Sequence, residues 1–354
     1  MSKYEIIDNK YTKVLRGPDL NYAFDKRNGN MLTWGKEPKD DPDYSKIGPF
    51  IADIEITTAC NGIDGVCCPF CYKANCPKGK YMTLERFKEV FACVNQNHQL
   101  TQIAFGCDSQ CKTNPDTFAI MDYTREQGVI PNVTIAQIDQ ETADKLAKVC
   151  GAVAVSHYAH NPDACYNSID ALTKAGCKNI NIHQLVSEET YESILELLNK
   201  VENKDPRLVN LNAIVFLALK QKGRGIGFHR MSDDKFEEVV KKCIDLKIGY
   251  GFDSCSSVRY MKLAAKLGIA EKVKNYIEPC ESSLFSTYVS VDGEFFPCSF
   301  LEKVDEWKEG IMLTKETNFI EDVWYNDKTV EFRKKLLTNK CPETGCRQCP
   351  VYNV

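Results

Sequence analysis

Four cysteines lie close together near the front of the chain, at Cys60, Cys67, Cys68 and Cys71. They follow an apolar run, residues 50–56, with the composition of a buried strand. Thiolates this close either bind a soft metal centre or oxidise. A zinc site favours two separated CxxC pairs, whereas Cys68 and Cys71 form one pair and Cys60 adds one more thiol. Three thiolates with an open coordination position suit an iron–sulfur cluster that leaves one iron free for a substrate or cofactor.

A second group of cysteines lies near the other end of the chain. Cys280 and Cys298 flank two strand-like runs that are joined by the turn residues Asp292 and Gly293. A hairpin at this place brings the two flanking cysteines together. The tail adds three more thiols, at Cys341, Cys346 and Cys349. Two thiols from the hairpin and two from the tail predict a cage for zinc or for an iron–sulfur cluster.

The composition is that of an ordinary globular protein. Of the 354 residues, 43% are hydrophobic and 27% charged, and the net charge of −4 predicts no nucleic-acid partner. The start of the chain lacks the apolar core of a secretory signal, and the longest apolar run, residues 211–219, is too short to span a bilayer. Eighteen cysteines in such a chain favour metal binding over disulfides. We expect a cytoplasmic protein without a membrane partner.

The segments that position the cysteines alternate between apolar and amphipathic patterns. Predicted strands cover residues 51–57, 101–105, 132–136, 152–156, 179–183, 211–217 and 248–252. Predicted helices cover residues 83–96, 115–127, 139–149, 162–175, 187–203 and 232–246. This alternation indicates βαβ units and a parallel sheet covered by helices. Six units predict an α/β fold with a partial, open (β/α)6 barrel of the TIM type, whose chemistry lies at the carboxyl ends of the strands.

Three regions follow from these patterns. Residues 1–50 are polar and predict a short hairpin or an extended cap rather than a separate domain. Residues 51–253 form the predicted barrel. Residues 254–354, where the alternation stops and cysteines recur, predict a small cysteine-rich C-terminal domain.

The first cysteine loop resembles that of the radical S-adenosylmethionine (SAM) family, written CxxxCxΦC, where Φ is aromatic. The run from Cys68 through Phe70 to Cys71 fits the second half of this motif, while seven residues rather than three separate Cys60 from Cys68. A glycine-rich insertion in the loop explains the difference. The resemblance implies that Cys60, Cys68 and Cys71 hold a SAM-binding [4Fe–4S] cluster, with Cys67 as the alternative to Cys68. It also implies that Phe70 packs near the adenine.

Further contacts to SAM are implied by the same resemblance. Family members carry a glycine-rich turn with a carboxylate after the second strand, which receives the amino group of SAM, and Gly106 and Asp108 stand in that place. Ser156 and Gln184 follow later strands, where the family contacts the ribose or carboxylate. The alternative interpretation is a plain turn and structural side chains at the strand ends.

The segment from Cys280 through Gly293 to Cys298 resembles the SPASM and twitch extensions of radical SAM proteins, which bind auxiliary [4Fe–4S] clusters. A full SPASM domain has seven cysteines for two clusters, and six here imply one auxiliary cluster. The implied ligands are Cys280, Cys298, Cys346 and Cys349, with Cys341 as a substitute.

Two residues just past the last predicted barrel strand are expected near the active site. Cys255 is a candidate cluster ligand, a candidate hydrogen-atom donor to a substrate radical, or a buried thiol. Asp253 is a candidate base or substrate-positioning group.

The resemblance implies an enzyme that cleaves SAM reductively to a 5′-deoxyadenosyl radical, which abstracts hydrogen from a substrate. The implied substrate is a peptide or protein that is crosslinked, oxidised or epimerised, and the implied electron donor is a flavodoxin or ferredoxin. Two alternatives stay open. One is a radical SAM dehydrogenase of a small molecule, and the other is a zinc-binding module without enzymatic activity.

Overall fold

A computed structural model describes residues 4–353 of the chain. The N-terminal region forms a four-stranded antiparallel sheet with the strands in chain order. Its strands are β1 (Glu5–Asp8), β2 (Thr12–Arg16), β3 (Asn21–Asp25) and β4 (Met31–Trp34). This is more structure than the single hairpin or extended cap that the polar sequence predicts. The sheet buries one face through Leu15, Tyr22 and Phe24, whereas the adjacent Val14 and Ala23 are half-buried.

The second sheet contains the barrel. Its strands are β5 (Ile51–Glu55), β6 (Gln102–Gly106), β7 (Ile130–Ile135), β8 (Ala152–Ser156), β9 (Ile180–Val186), β10 (Leu211–Ala218), β11 (Tyr250–Phe252), β12 (Ser286–Val289), β13 (Glu294–Phe296) and β14 (Ile311–Met312). From β5 to β11, each strand pairs in parallel with the next along the chain. The strands β11 and β14 form the two ends of this sheet, so the barrel in the described chain is open.

Helices follow the strands β5 to β10 one by one. The helices are α1 (Leu84–Val94), α2 (Thr117–Glu126), α3 (Gln140–Val149), α4 (Pro162–Lys174), α5 (Tyr191–Glu202), α6 (Asp233–Asp245), α7 (Ser257–Lys266), α8 (Ala270–Val273) and α9 (Asp327–Thr338). The six helices α1 to α6 confirm the predicted α/β fold with a partial (β/α)6 barrel. Between residues 4 and 353, no helix combines the length and the apolar character needed to cross a membrane.

The helix starts agree with the sequence where a capping side chain is present. Thr83 accepts a hydrogen bond from the backbone N–H of Arg86, and Asp139 and Ser232 do the same at the starts of α3 and α6. The predicted start at Ser187 differs, because residues 188–190 first form a 3₁₀ turn and α5 begins at Tyr191.

The C-terminal region adds strands to the barrel sheet. The hairpin of β12 and β13 forms as predicted, with Gly293 in the left-handed region at φ +83°. Strand β12 also pairs in parallel with β5, so that Tyr288 lies opposite Asp53. One sheet thus continues past residue 253, and the predicted domain boundary at that residue stays a prediction.

Trp324 joins the two ends of the chain, and its replacement tests that junction. Its side chain is fully buried, and its Nε1 donates to the carbonyl oxygen of Ser45 at 2.7 Å. The guanidinium of Arg333 lies 4.8 Å from its ring. We expect Trp324→Ala to lower the free energy of unfolding in urea by about 3–5 kcal/mol, because a large cavity replaces the indole. Tyr276→Ala is the control, since Tyr276 is 84% exposed and its loss costs within about 0.5 kcal/mol. Equal free energies of unfolding for Trp324→Ala and Tyr276→Ala would contradict the role of Trp324 in joining the two ends of the chain.

Candidate functional site

The first cysteine loop lies beyond the carboxyl end of β5 and is held at both of its ends. The backbone N–H of Cys60 donates to the carbonyl oxygen of Cys76 at 3.0 Å. The Cys60 Sγ accepts from the N–H of Gly62 at 3.4 Å and lies 3.8 Å from the Ser109 Oγ. At the other end, the N–H of Cys71 donates to the carbonyl oxygen of Cys68 at 3.4 Å, which places these two cysteines in one turn.

A segment that the sequence did not single out closes over this loop. The Arg224 Nε donates to the carbonyl oxygen of Cys68 at 2.7 Å, and its backbone N–H donates to that of Cys71 at 3.0 Å. Next to it, Gly223 has φ +56°, and a Cβ there would lie 2.4 Å from the carbonyl oxygen of Tyr72. The run of alternating glycines at residues 223–227 was the available signal, because glycine permits such close backbone approach.

Cys68 and Cys67 differ in their surroundings. Burial raises the pKa of Cys68 to about 12, and the nearby Cys71 raises it further. The Cys67 Sγ instead lies 4.0 Å from the carbonyl oxygen of Cys60. In the described chain, no three cysteine, histidine or acidic side chains already converge as a metal site. Three thiols within one loop are nevertheless the donor set of an iron–sulfur cluster, because bound iron holds thiols as thiolates.

Phe70 packs among aromatic side chains at the carboxyl ends of the strands. Its ring stacks on Tyr158 at 5.4 Å and meets Phe228 edge-on at 5.5 Å. Burial raises the pKa of Tyr158, with the neighbouring Cys68 adding to this effect and the neighbouring Ser156 opposing it. Ser156 is half-buried at the end of β8. The predicted residues Phe70 and Ser156 are therefore both gathered beside the cysteine loop.

Asp108 has a role within its own turn. Its carboxylate is 2% exposed and accepts hydrogen bonds of 3.1–3.2 Å from the backbone N–H groups of Gln110, Lys112 and Thr113. Gly106 accepts the backbone N–H of Ile56 at 2.9 Å. The Asp108 carboxylate is thus held by its own turn, and the contacts of Gly106 and Asp108 with SAM stay predictions.

Gln184 belongs to a buried network. Its Oε1 lies 2.7 Å from the Nδ1 of His157, and its Nε2 donates to the carbonyl oxygen of Leu185 at 2.8 Å. The Nε2 of His157 lies 3.1 Å from the Tyr166 hydroxyl, and burial lowers the pKa of His157 to about 4. Gln184 is 1% exposed, and its amide oxygen and nitrogen each have a protein partner, so the predicted cofactor contact stays a prediction.

The second group of thiols surrounds a cavity. Cys255, Cys280 and Cys349 line a space of about 320 Å³. Burial raises the pKa of Cys298 to about 12, and Cys280 and Cys349 lie close enough to raise it further. Burial likewise raises the pKa of Cys255, with Cys280 and Cys298 adding to the effect. Cys255, Cys280 and Cys349 thus share one cavity, and Cys298 lies near Cys280 and Cys349.

The two remaining tail cysteines face each other across a turn. The N–H of Cys341 donates to the carbonyl oxygen of Cys346 at 2.9 Å, and a hydrogen bond to Thr344 lowers the pKa of Cys341. Cys346 is not among the residues that line the cavity in the described chain. The predicted ligand set with Cys346 stays a prediction, and Cys255 is the thiol that lines the cavity with Cys280 and Cys349.

Asp253 is already bound to protein groups. Its carboxylate lies 2.6 Å from the Nζ of Lys220 and accepts from the Ser256 hydroxyl at 2.6 Å. Burial lowers the pKa of Lys220, but Asp253 and Cys255 outweigh this effect and raise it above its ordinary value. The geometry argues against Asp253 as a free base and gives it the role of fixing the ends of β10 and β11.

A buried ion network ties the cysteine loop to the C-terminal strands. The Nζ of Lys73 lies 3.1 Å from the Glu55 carboxylate and 2.9 Å from the Tyr288 hydroxyl, and it also forms an ion pair with Glu302. Lys73 follows Cys71 by two residues. No local pattern predicts this network, because its members come from four separate segments of the chain.

Comparison with known proteins covers both parts of the chain. Residues 280–350 match the SPASM family, an iron–sulfur cluster-binding domain. This span begins at Cys280 and leaves out Cys255. Among curated proteins, none matches the chain significantly.

Two solved structures share the fold. SuiB from Streptococcus suis, bound to the precursor peptide SuiA, has 16% identity, and the match covers 86% of this chain and 71% of SuiB with a TM-score of 0.63. The structure of anSMEcpe with bound AdoMet and the Cp18Cys peptide has 14% identity, with 80% and 82% of the chains covered and a TM-score of 0.55. At 14–16% identity, these similarities show a shared fold and nothing about the activity of this chain.

The motif, the family match and the architecture agree. The cysteine loop with its CxΦC half follows the first strand of an open parallel barrel, and the cysteine-rich extension matches the SPASM family. Residues 280–350 are thus similar to the SPASM family, and the chain as a whole shares the fold of the two solved structures.

Proposed function

We propose that this protein cleaves SAM reductively and uses the 5′-deoxyadenosyl radical to take hydrogen from a peptide or protein substrate. A [4Fe–4S] cluster with one iron free of protein ligands supplies the electron and the binding position for this cleavage. Cys60, Cys68 and Cys71 are the proposed ligands. The observation that carries the proposal is the grouping of these thiols in one loop at the carboxyl edge of the barrel.

The chain's own residues hold that loop and shield it. Arg224 fixes the carbonyl groups of Cys68 and Cys71 from one side, and the Lys73 network fixes the loop from the other. The rings of Phe70 and Tyr158 pack beside the loop and limit access of water. Limiting water protects a reactive intermediate from side reactions.

We assign one auxiliary cluster to Cys255, Cys280, Cys298 and Cys349. The shared cavity and the mutual effects on the thiol pKa values support this set over the one that includes Cys346. The Lys220 cation beside Cys255 also compensates thiolate charge there.

A peptide substrate is supported by the neighbours of like fold, because SuiB and anSMEcpe were both seen with bound peptides. Crosslinking, oxidation and epimerisation are the proposed outcomes. A flavodoxin or ferredoxin in the cytoplasm is the proposed electron donor.

Replacing the three loop cysteines tests the cleavage of SAM. Anaerobically reconstituted wild-type protein should be brown, hold roughly eight irons as two four-iron clusters, and form 5′-deoxyadenosine with dithionite and SAM. The Cys60→Ala, Cys68→Ala, Cys71→Ala triple variant should keep roughly four irons and form none, because only the auxiliary cluster stays. Iron analysis and chromatography of the products measure both effects.

Cys67→Ala is the matched control, since it removes the neighbouring thiol and should leave 5′-deoxyadenosine formation intact. Product formation by the triple variant would refute the assignment. A colourless wild-type protein with stoichiometric zinc would favour a binding module instead.

The auxiliary ligands are tested by single replacements in the triple variant. Cys255→Ala should lose or convert the remaining cluster, because a four-iron cluster with three thiolates is prone to lose iron. Cys346→Ala should keep roughly four irons and an unchanged electron paramagnetic resonance spectrum after reduction. The opposite result for the two variants would restore the set with Cys346.

A further inference from the structure

The two sides of the barrel strands differ in their access to water. On β5, Ala52 and Ile54 face the helices and are fully buried, whereas Asp53 between them is exposed. The alternation continues on the neighbouring strands, where Ala104 and Thr134 on the lumen side are half-buried. Successive side chains of a strand point to opposite faces, so Asp53, Ala104 and Thr134 face the interior of the barrel, its lumen. Their exposure shows that water reaches this lumen.

Asp53 stands in this lumen without a partner. It lies at the middle of a central strand, between β6 and β12, with Tyr288 opposite it in the register. Its carboxylate is enclosed by barrel walls and yet reachable by water, and burial alone raises its pKa to about 6. No hydrogen bond or ion pair from any residue in the range 4–353 compensates it. A substrate that displaces water from this carboxylate must replace the lost hydrogen bonds, since an unsatisfied polar group costs free energy.

The other carboxylates around the lumen are matched by cations. The pairs are Glu55 and Glu302 with Lys73, and Asp253 with Lys220. Lys222 adds a second cation beside Glu302 by donating to its carbonyl oxygen at 2.6 Å. His183 on β9 supplies no charge, because burial lowers its pKa to about 4. Asp53 is therefore the unmatched negative group of the described lumen.

An aromatic side chain lies beside this carboxylate. Burial raises the pKa of Tyr72, and the charges of Glu55 and Asp53 raise it further, which places Tyr72 near both. Its ring packs on Phe300 with centroids 4.3 Å apart. A carboxylate next to an aromatic ring suits an organic cation, which gains from both.

We propose that Asp53 binds a positively charged group of the substrate, a primary ammonium or a guanidinium, and so selects cationic substrates in the barrel lumen. The inference rests on the proposed function only in taking the lumen as the substrate site. The cation has two possible sources, a basic side chain of a peptide or a free amine such as an amino sugar.

Equilibrium dialysis of n-butylammonium against the reconstituted protein tests the charge requirement. Wild-type protein should bind n-butylammonium and n-butylguanidinium at least about tenfold more tightly than n-butanol or butyrate, because a charge-assisted hydrogen bond forms only with the cations. Asp53→Asn should abolish this preference and Asp53→Glu should retain it. Asp292→Asn is the matched control, since Asp292 pairs with Lys80 on the surface.

Two further probes distinguish the sources of the cation. Tighter binding of Nα-acetyl-lysine amide than of glucosamine indicates a peptide side chain, and the reverse order indicates a free amine. Equal binding of butylammonium and butanol, or an unchanged preference in folded Asp53→Asn, would overturn the inference. If Asp53→Asn fails to fold, the comparison of n-butylammonium with n-butanol in wild-type protein and in Asp53→Glu decides.

Failure of this inference is distinguishable from failure of the proposed function. Formation of 5′-deoxyadenosine by wild-type protein without cation selectivity would refute only the role of Asp53. Cation selectivity without cleavage of SAM would refute only the radical chemistry.

Discussion

The pairing of Lys73 with two buried carboxylates is the interaction on which the arrangement of the site depends. It joins the cysteine loop, the end of β5 and the C-terminal strand β12 through one ammonium group. Removing one partner of a buried ion pair leaves an uncompensated charge, which costs several kcal/mol. The ammonium therefore couples the position of the cysteine loop to the position of the SPASM region, and Arg224, in the segment after β10, completes the enclosure.

The sequence predicts the elements of the fold more completely than the details of the site. The strands and helices of the barrel follow from local periodicity and capping, as at Thr83 and Asp139, and so they were found from the sequence. The cysteine loop was found because its motif is contiguous. Cys255 was named as a candidate ligand from the sequence, but its place beside Cys280 and Cys349 was not, because it depends on where β11 ends relative to the tail. The N-terminal sheet was underestimated, since its short strands bury only one face.

The side chains that surround the predicted cofactor residues also escaped sequence reasoning. Asp108 and Gln184 are types that bind cofactors, but their hydrogen bonds go to a backbone turn and to His157. A strand-end carboxylate or amide looks the same in a sequence whether it faces its own turn or an open site. Asp53 was overlooked for the converse reason, because a polar residue within an apolar run suggests a paired group rather than a free one.

The parallel pairing of β12 with β5 has a consequence for biosynthesis. The two strands are separated by more than 200 residues, so β5 leaves the ribosome long before its partner exists. During that interval the hydrogen-bonding edge of β5 has no neighbour on that side, and unpaired edges invite association with other chains. A nascent chain that stalls before residue 286 thus exposes the unpaired hydrogen-bonding edge of β5 next to the thiols of the cysteine loop. Chaperone protection at this stage, or slow translation after it, would affect the yield of native protein more than the stability of the finished fold.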